Sequence, residues 1–374
     1  MGQRALSLQG LSALFGVLWL VGCSSSGGSG GAATGGTGGG SSTGGSGGQS
    51  SSAGSSAAGA NALGGSSAAG SGTVTDPNAC KNLDLSVGAT GPHGTVPLFK
   101  TSSILDDLSV LGLVGTDVYF VNNGQLEHIP SAGGAPVTVG KILSTDAVLS
   151  GSTVIWFEPP KAPATTLRIL STPASDVSNP KVVAEGISQP QDFAADADTV
   201  FFDSRSPDNI FSVPIAGGTP KNLVPGSSPL GMISDGTSLY WLDFDSSQLE
   251  SVPKTGGTPQ RLVDVFFGGP MALEGSTIYW ADTSLNTINR WTTGDTMATQ
   301  LATTGDFFEQ PNSILVNSGV VYWTQGQFCN TLWQLPNQGQ AGLVLSGFQS
   351  GSVFAADSTH VYVVAGDGIY RVDR

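Results

Sequence analysis

The chain has 374 residues with 28 acids against 14 basic residues, a net charge of −14, and charged residues make up only 11% of it. All 28 acids and 13 of the basic residues lie beyond residue 75, so that part carries about −15. Such a body repels a phosphate backbone and lacks the basic footprint of a nucleic-acid binder, so no nucleic-acid partner is expected.

In chain order, the first element is a targeting pattern. Arg4 precedes an apolar run from Ala5 to Val21, broken by Ser7, Gln9 and Ser12. The run is too short and too interrupted for a spanning helix and fits a secretory signal over residues 1–22. Leu20-Val21-Gly22-Cys23 resembles the bacterial lipobox. The resemblance implies that Cys23 becomes a lipidated N-terminus, held by several acyl chains, which anchor stably where one would not. The alternative is an ordinary signal peptide whose cleavage site contains a cysteine. Ser24 stands where an Asp would mark inner-membrane retention, so the same resemblance favours the outer membrane of a bacterial envelope.

Residues 24–73 are almost entirely Gly, Ser, Ala and Thr, without a charge. A segment that cannot bury apolar surface does not offset its ordering entropy and is expected to be disordered. As a coil of this length it spans roughly 35–42 Å, a tether between lipid and folded body. Residues 74–94 lead into the fold and contain Cys80, while Cys329 lies in a late loop. In an oxidising compartment the two can pair or remain independent thiols.

From residue 95 onward the sequence repeats itself. A turn residue, a β-branched or apolar residue and then aromatics recur around Tyr119, Ile155, Phe201, Tyr240, Tyr279, Tyr322 and Tyr362, at spacings of 36, 46, 39, 39, 43 and 40. A strand-rich repeat with a period near 40 predicts an all-β fold, a β-propeller with one four-stranded antiparallel blade per repeat. The fourth repeat divides most clearly, into strands at 229–234, 238–243, 248–253 and about 259–263. Gly133-Gly134, Gly217-Gly218 and Gly256-Gly257, each followed two residues later by Pro, supply the tight turn before an outer strand. The last repeat lacks an outer strand, and residues 95–100 offer a spare one ahead of the first. Placing the spare strand there closes a monomeric ring of seven blades over 95–374, where six would leave one anchor unused.

Tyr240-Trp241-Leu242-Asp243, Tyr279-Trp280-Ala281-Asp282 and Tyr322-Trp323-Thr324-Gln325 resemble the YWTD repeat of low-density-lipoprotein-receptor and TolB-like bacterial propellers. Asn122, Glu158, Ser204 and Ala365 stand at the Asp position in the other repeats. The resemblance implies a fold and a packing role for the repeated residues. It does not carry a function.

Chemistry is sparse. His93, His128 and His360 share no short spacing, so they form no local metal motif. The repeat region has no Gly-x-Ser-x-Gly elbow, phosphate loop, His-Glu-x-x-His or EF-hand loop. Propeller geometry gathers the loops between second and third strands, and the residues leading into each inner strand, on one face. That face holds the candidate ligand-binding residues Asp192, Asp208, Asp245, Asn312 and Phe328. Trp156, Trp241, Trp280, Trp291, Trp323 and Trp333 fall in strands and are expected to pack between blades. The reading is a non-enzymatic, membrane-anchored module that binds a protein, peptide or glycan, with no cofactor. The alternative is a Ca²⁺-dependent hydrolase or lactonase with acids and amides around a metal at the channel mouth.

Overall fold

The computed structural model describes residues 95–101, 108–142, 144, 146–160, 165–205, 208–305, 310–326, 330–337, 339–348, 351–365 and 368–374. The expected signal, the lipidated Cys23, the tether, Cys80, Phe328 and Cys329 lie outside the described residues. The described residues form 28 strands in seven four-stranded sheets, with no helix among them. Each sheet is an antiparallel blade, and the ring is a seven-bladed β-propeller.

The fourth blade shows how the letters become strands. Pro229–Ser234, Ser238–Asp243, Gln248–Pro253 and Gln260–Asp264 pair in that order from the inside outward. Before its outer strand, Gly256 and Gly257 sit at φ of 96° and 145°, a region that L side chains avoid. At the hairpin between first and second strands, the Asp235 carboxylate accepts the N–H groups of Thr237 and Ser238 and the Tyr240 hydroxyl. Asp357 repeats that arrangement in the seventh blade with Thr359, His360 and Tyr362.

Closure follows the expected route. Thr95–Lys100 pairs antiparallel with Gly368–Asp373 and becomes the outer strand of the seventh blade. The fit is tight: a Cβ on Gly368 would run into the Phe99 carbonyl oxygen. Arg374 then ties the last blade to the sixth, donating to the Asn317 side chain and carbonyl, the Asp357 carbonyl and the Tyr322 hydroxyl.

The core is divided among the seams between blades. Each hydrophobic cluster draws from two successive blades, and one joins the seventh to the first through Leu98, Tyr362 and Ile369 against Val110, Val118 and Phe120. Strand alternation does the sorting. In the fourth blade Leu239 and Trp241 face the third blade, while Leu242 faces the fifth. A second strand is therefore buried on both faces, which is why it reads as a nearly continuous apolar run. Trp156, Trp280, Trp291 and Trp323 fill seams in the same way, and Trp333 stacks on Trp323 at 6.3 Å between ring centroids.

Candidate functional site

In the fourth and fifth blades the acid that ends the aromatic phrase fastens the blade to the crossover arriving from the blade before it. Asp282 is buried, and its two oxygens accept four N–H groups. Phe266 and Phe267 of the crossover donate at 3.2 Å each, and Ser284 and Leu285 of its own loop at 3.0 and 2.9 Å. Asp243 takes the Ser227 hydroxyl and the Ser228 N–H of its crossover and the Ser246 N–H of its loop. In the sixth blade Gln325 donates to the Thr304 carbonyl while accepting from the Trp323 indole. Ser204 does the equivalent with the Ser188 carbonyl in the third. These residues hold the loop face together, and their polar atoms are committed to that task.

A cavity of about 470 Å³ opens beside this face at the seam between the third and fourth blades. Val224, Gly226 and Ser227 line one side, and Asp243, Asp245, Glu250 and Arg261 the other. Two of its carboxyl groups are driven apart. Burial opposes the Asp243 charge, but the hydrogen bonds from Ser227, Ser246 and Ser228 outweigh it and hold its pKa below the usual carboxylate value. Burial, and then the Asp243 charge, push Glu250 up, against the Ser246 hydroxyl and the Arg261 guanidinium 3.6 Å away. Asp245 is exposed at the cavity rim. Asp208 is also exposed, and its carbonyl receives the N–H of Gly226 in the cavity wall at 2.7 Å. Asp245 is therefore the candidate acid on the opening, and Asp208 is tied to its wall through the backbone.

Asp192 and Asn312 lie elsewhere on the ring. Asn312 leads the inner strand of the sixth blade; its amide donates to the Gly326 carbonyl and the Asn330 side chain, and its oxygen accepts from Thr324. Asp192 precedes the inner strand of the third blade, where burial first, and the neighbouring Asp203 charge second, push its carboxyl well above the usual value. The N–H groups of Phe193 and of Met232 in the next blade oppose that shift. Asp203 is buried and also shifted up, with its Oδ1 taking the N–H groups of Gln191 and Asp192. The Oδ2 atoms of both acids are buried without a hydrogen-bond partner. Among the described residues no three His, Cys, Asp or Glu side chains converge as a metal site.

No protein-family model matches the chain, and no curated protein matches it. Solved structures do match. YCF48 from Cyanidioschyzon merolae is 8% identical, with a TM-score of 0.53 over 75% of this chain and 98% of that one. A Mycobacterium tuberculosis puromycin-hydrolyzing peptidase is 15% identical at 0.50, over 67% of this chain and 47% of that one. A nidogen/laminin complex is 16% identical at 0.41, over 52% and 78%. Likeness at these identities bears on the fold alone, and the last is too distant in shape to carry an argument.

The loop face also displays apolar side chains. Phe244 is 52% exposed, Phe266 73% and Leu285 47%. Phe244 is legible in the sequence, in the loop Asp243-Phe244-Asp245 between second and third strands, whereas no repeat position marks Phe266 or Leu285. The available signal was the pair Phe266-Phe267 directly after an outer strand, where crossovers such as Ser227-Ser228 are polar.

Proposed function

We propose that this chain is a lipid-tethered binding module of a bacterial cell envelope, whose propeller captures a protein, peptide or glycan through its loop face without chemical turnover. The observation that carries the reading is the cavity between the third and fourth blades, with the exposed Asp245 at its rim and the exposed Asp208 bonded through its carbonyl to Gly226 in its wall. These two acids stand apart from the carboxylates and amides that fasten the blades, so their charge is free to meet a ligand. The lipobox-like Leu20–Cys23 and the uncharged tether support the anchoring half. A tether of roughly 35–42 Å lets the face reach partners beyond the headgroup layer.

Two measurements test the halves separately. Mass spectrometry of the mature chain should find Cys23 as a diacylated, N-acylated first residue, and a free Cys23 or a different cleavage site would remove the anchor. Affinity capture from detergent-solubilised envelopes should enrich a defined partner that is lost with Asp245→Ala. Enrichment unaffected by that change would place the binding surface away from this cavity.

A further inference from the structure

Phe244, Phe266 and Leu285 are exposed on neighbouring loops that Phe267 and Asp282 tie into one strip of backbone. The Phe244 ring meets the Phe267 ring edge-on at 5.8 Å. Phe267 and Phe266 both donate their N–H groups to Asp282 Oδ2, and Leu285 donates to Oδ1 of the same carboxylate. One buried acid thus holds the backbones of Phe266 and Leu285, and a ring contact carries the strip on to Phe244. The crossover cannot sink or swing away. A Cβ at Gly269 would strike the Ala281 carbonyl oxygen, and one at Gly268 would lie 2.9 Å from the Leu242 Cβ. The strip is therefore displayed on rigid backbone, which limits the ordering cost of association. Other exposed apolar side chains are placed differently: Val137 and Val182 sit on outer strands, and Met297 precedes the outer strand of the fifth blade.

Charge surrounds the strip asymmetrically. Asp245 adjoins Phe244 at the rim, the exposed Asp208 is tied through its carbonyl to Gly226 in the cavity wall, and Arg261 in the lining lies 3.6 Å from the buried Glu250. The lysines of the neighbouring blades face the other way. Lys221 donates to the Thr255 carbonyl and Lys254 to Asp198, both at the hairpins of the opposite face. Apolar side chains next to the exposed Asp245 carboxylate, in a cavity whose lining holds three carboxyl groups against one arginine, complement a polypeptide with apolar side chains beside a cation.

Building on the binding-module reading, we infer that the crossover and loops of the fourth and fifth blades dock a partner-protein segment in which aromatic or aliphatic side chains adjoin Lys or Arg. The apolar side chains cover Phe244, Phe266 and Leu285, and the cation reaches Asp245 at the cavity rim.

The test is selection of a phage-displayed random peptide library on the immobilised full-length chain. Enriched peptides should combine apolar side chains with Lys or Arg. Phe266→Ser should weaken their binding at least tenfold, and Asp245→Asn or raised salt several-fold. Val137→Ser and Met297→Ser should leave it unchanged, with thermal unfolding confirming that every variant folds. Enriched peptides indifferent to Phe266→Ser and Phe244→Ser would overturn this assignment and leave the binding-module reading standing. Failure to enrich any peptide would overturn it as well, and the envelope capture then decides the broader reading. Vesicles of phosphatidylethanolamine and phosphatidylglycerol serve as the parallel probe. Binding to them that is lost with Phe266→Ser, without peptide enrichment, would assign the strip to a lipid surface instead.

Discussion

Replacing Asp192 by asparagine should make this protein more stable. The Asp192 carboxyl is pushed far up by burial and by Asp203, and its Oδ2 has no hydrogen-bond partner. Asparagine keeps an oxygen for the N–H groups of Phe193 and Met232. It also turns the orphaned acceptor into a donor beside Asp203, whose own Oδ2 accepts no hydrogen bond and has only the Arg205 guanidinium 3.9 Å away. An unsatisfied buried polar group costs about 1–3 kcal/mol. Allowing for the desolvation of the new amide, the net gain is about 1–2 kcal/mol near neutral pH. In a chain of this size that raises the unfolding midpoint by roughly 2–4 °C.

The sign can be checked with pH. A carboxyl whose pKa is raised on folding destabilises the fold above that pKa. The penalty disappears as pH falls through the folded value toward the ordinary Asp value of about 3.9. The advantage of Asp192→Asn should therefore be largest near neutrality and shrink on acidification. Thermal unfolding of both proteins across that range is the assay. A variant less stable than the parent near neutrality, or a gap that grows as the pH falls, would refute the reasoning.

Three further outcomes follow from the geometry. Gly368→Ala should force the Thr95–Lys100 strand off the last blade, because the new methyl meets the Phe99 carbonyl; we expect a loss of about 1–3 kcal/mol and self-association through the freed edge, read by unfolding and size-exclusion chromatography. Tyr362→Phe removes the 2.6 Å hydrogen bond to Asp357. Burial opposes the Asp357 charge, but Tyr362, Thr359 and His360 together lower its pKa to about 2, so the variant should lose about 1 kcal/mol near neutrality after allowance for solvent reaching this group. The deficit should narrow as pH falls from the ordinary Asp range toward that value. Metal analysis of the purified chain should return substoichiometric calcium, because the Asn312 side-chain oxygen already accepts from Thr324 and no three acids or histidines converge among the described residues; a full equivalent removed only by chelator would revive a metal-dependent activity.

Much of the ring was legible because its code is local. The strands of the fourth blade follow from alternation and turn residues within each repeat, and the closing strand follows from a missing outer strand at one end and a spare at the other. The packing role of the tryptophans follows from their place in strands buried on both faces. The fastening of the crossovers was hidden because its partners are backbone groups. Ser228, Phe266-Phe267 and Thr304 share no side-chain type and donate or accept through N–H and carbonyl groups that no letter records, with only Ser227 adding its hydroxyl. The surroundings of Asp192 were hidden for a related reason, since they include the N–H of Met232 in the next blade. Asp208 and Asp245 could be singled out as departures from the repeat, but the cavity that Asp245 lines exists only once adjacent blades are docked.

The central claim is a division of labour: the repeated acids fasten the ring, and the residues just after them meet a ligand. Asp282→Ala and Asp245→Ala, compared for thermal unfolding and for capture of envelope partners, test it most directly. Asp282→Ala orphans four N–H groups and should cost at least about 3 kcal/mol, whereas Asp245→Ala should unfold like the parent while losing the captured partner. An Asp282→Ala protein as stable as the parent, or an Asp245→Ala protein that still captures the same partner, would contradict the account.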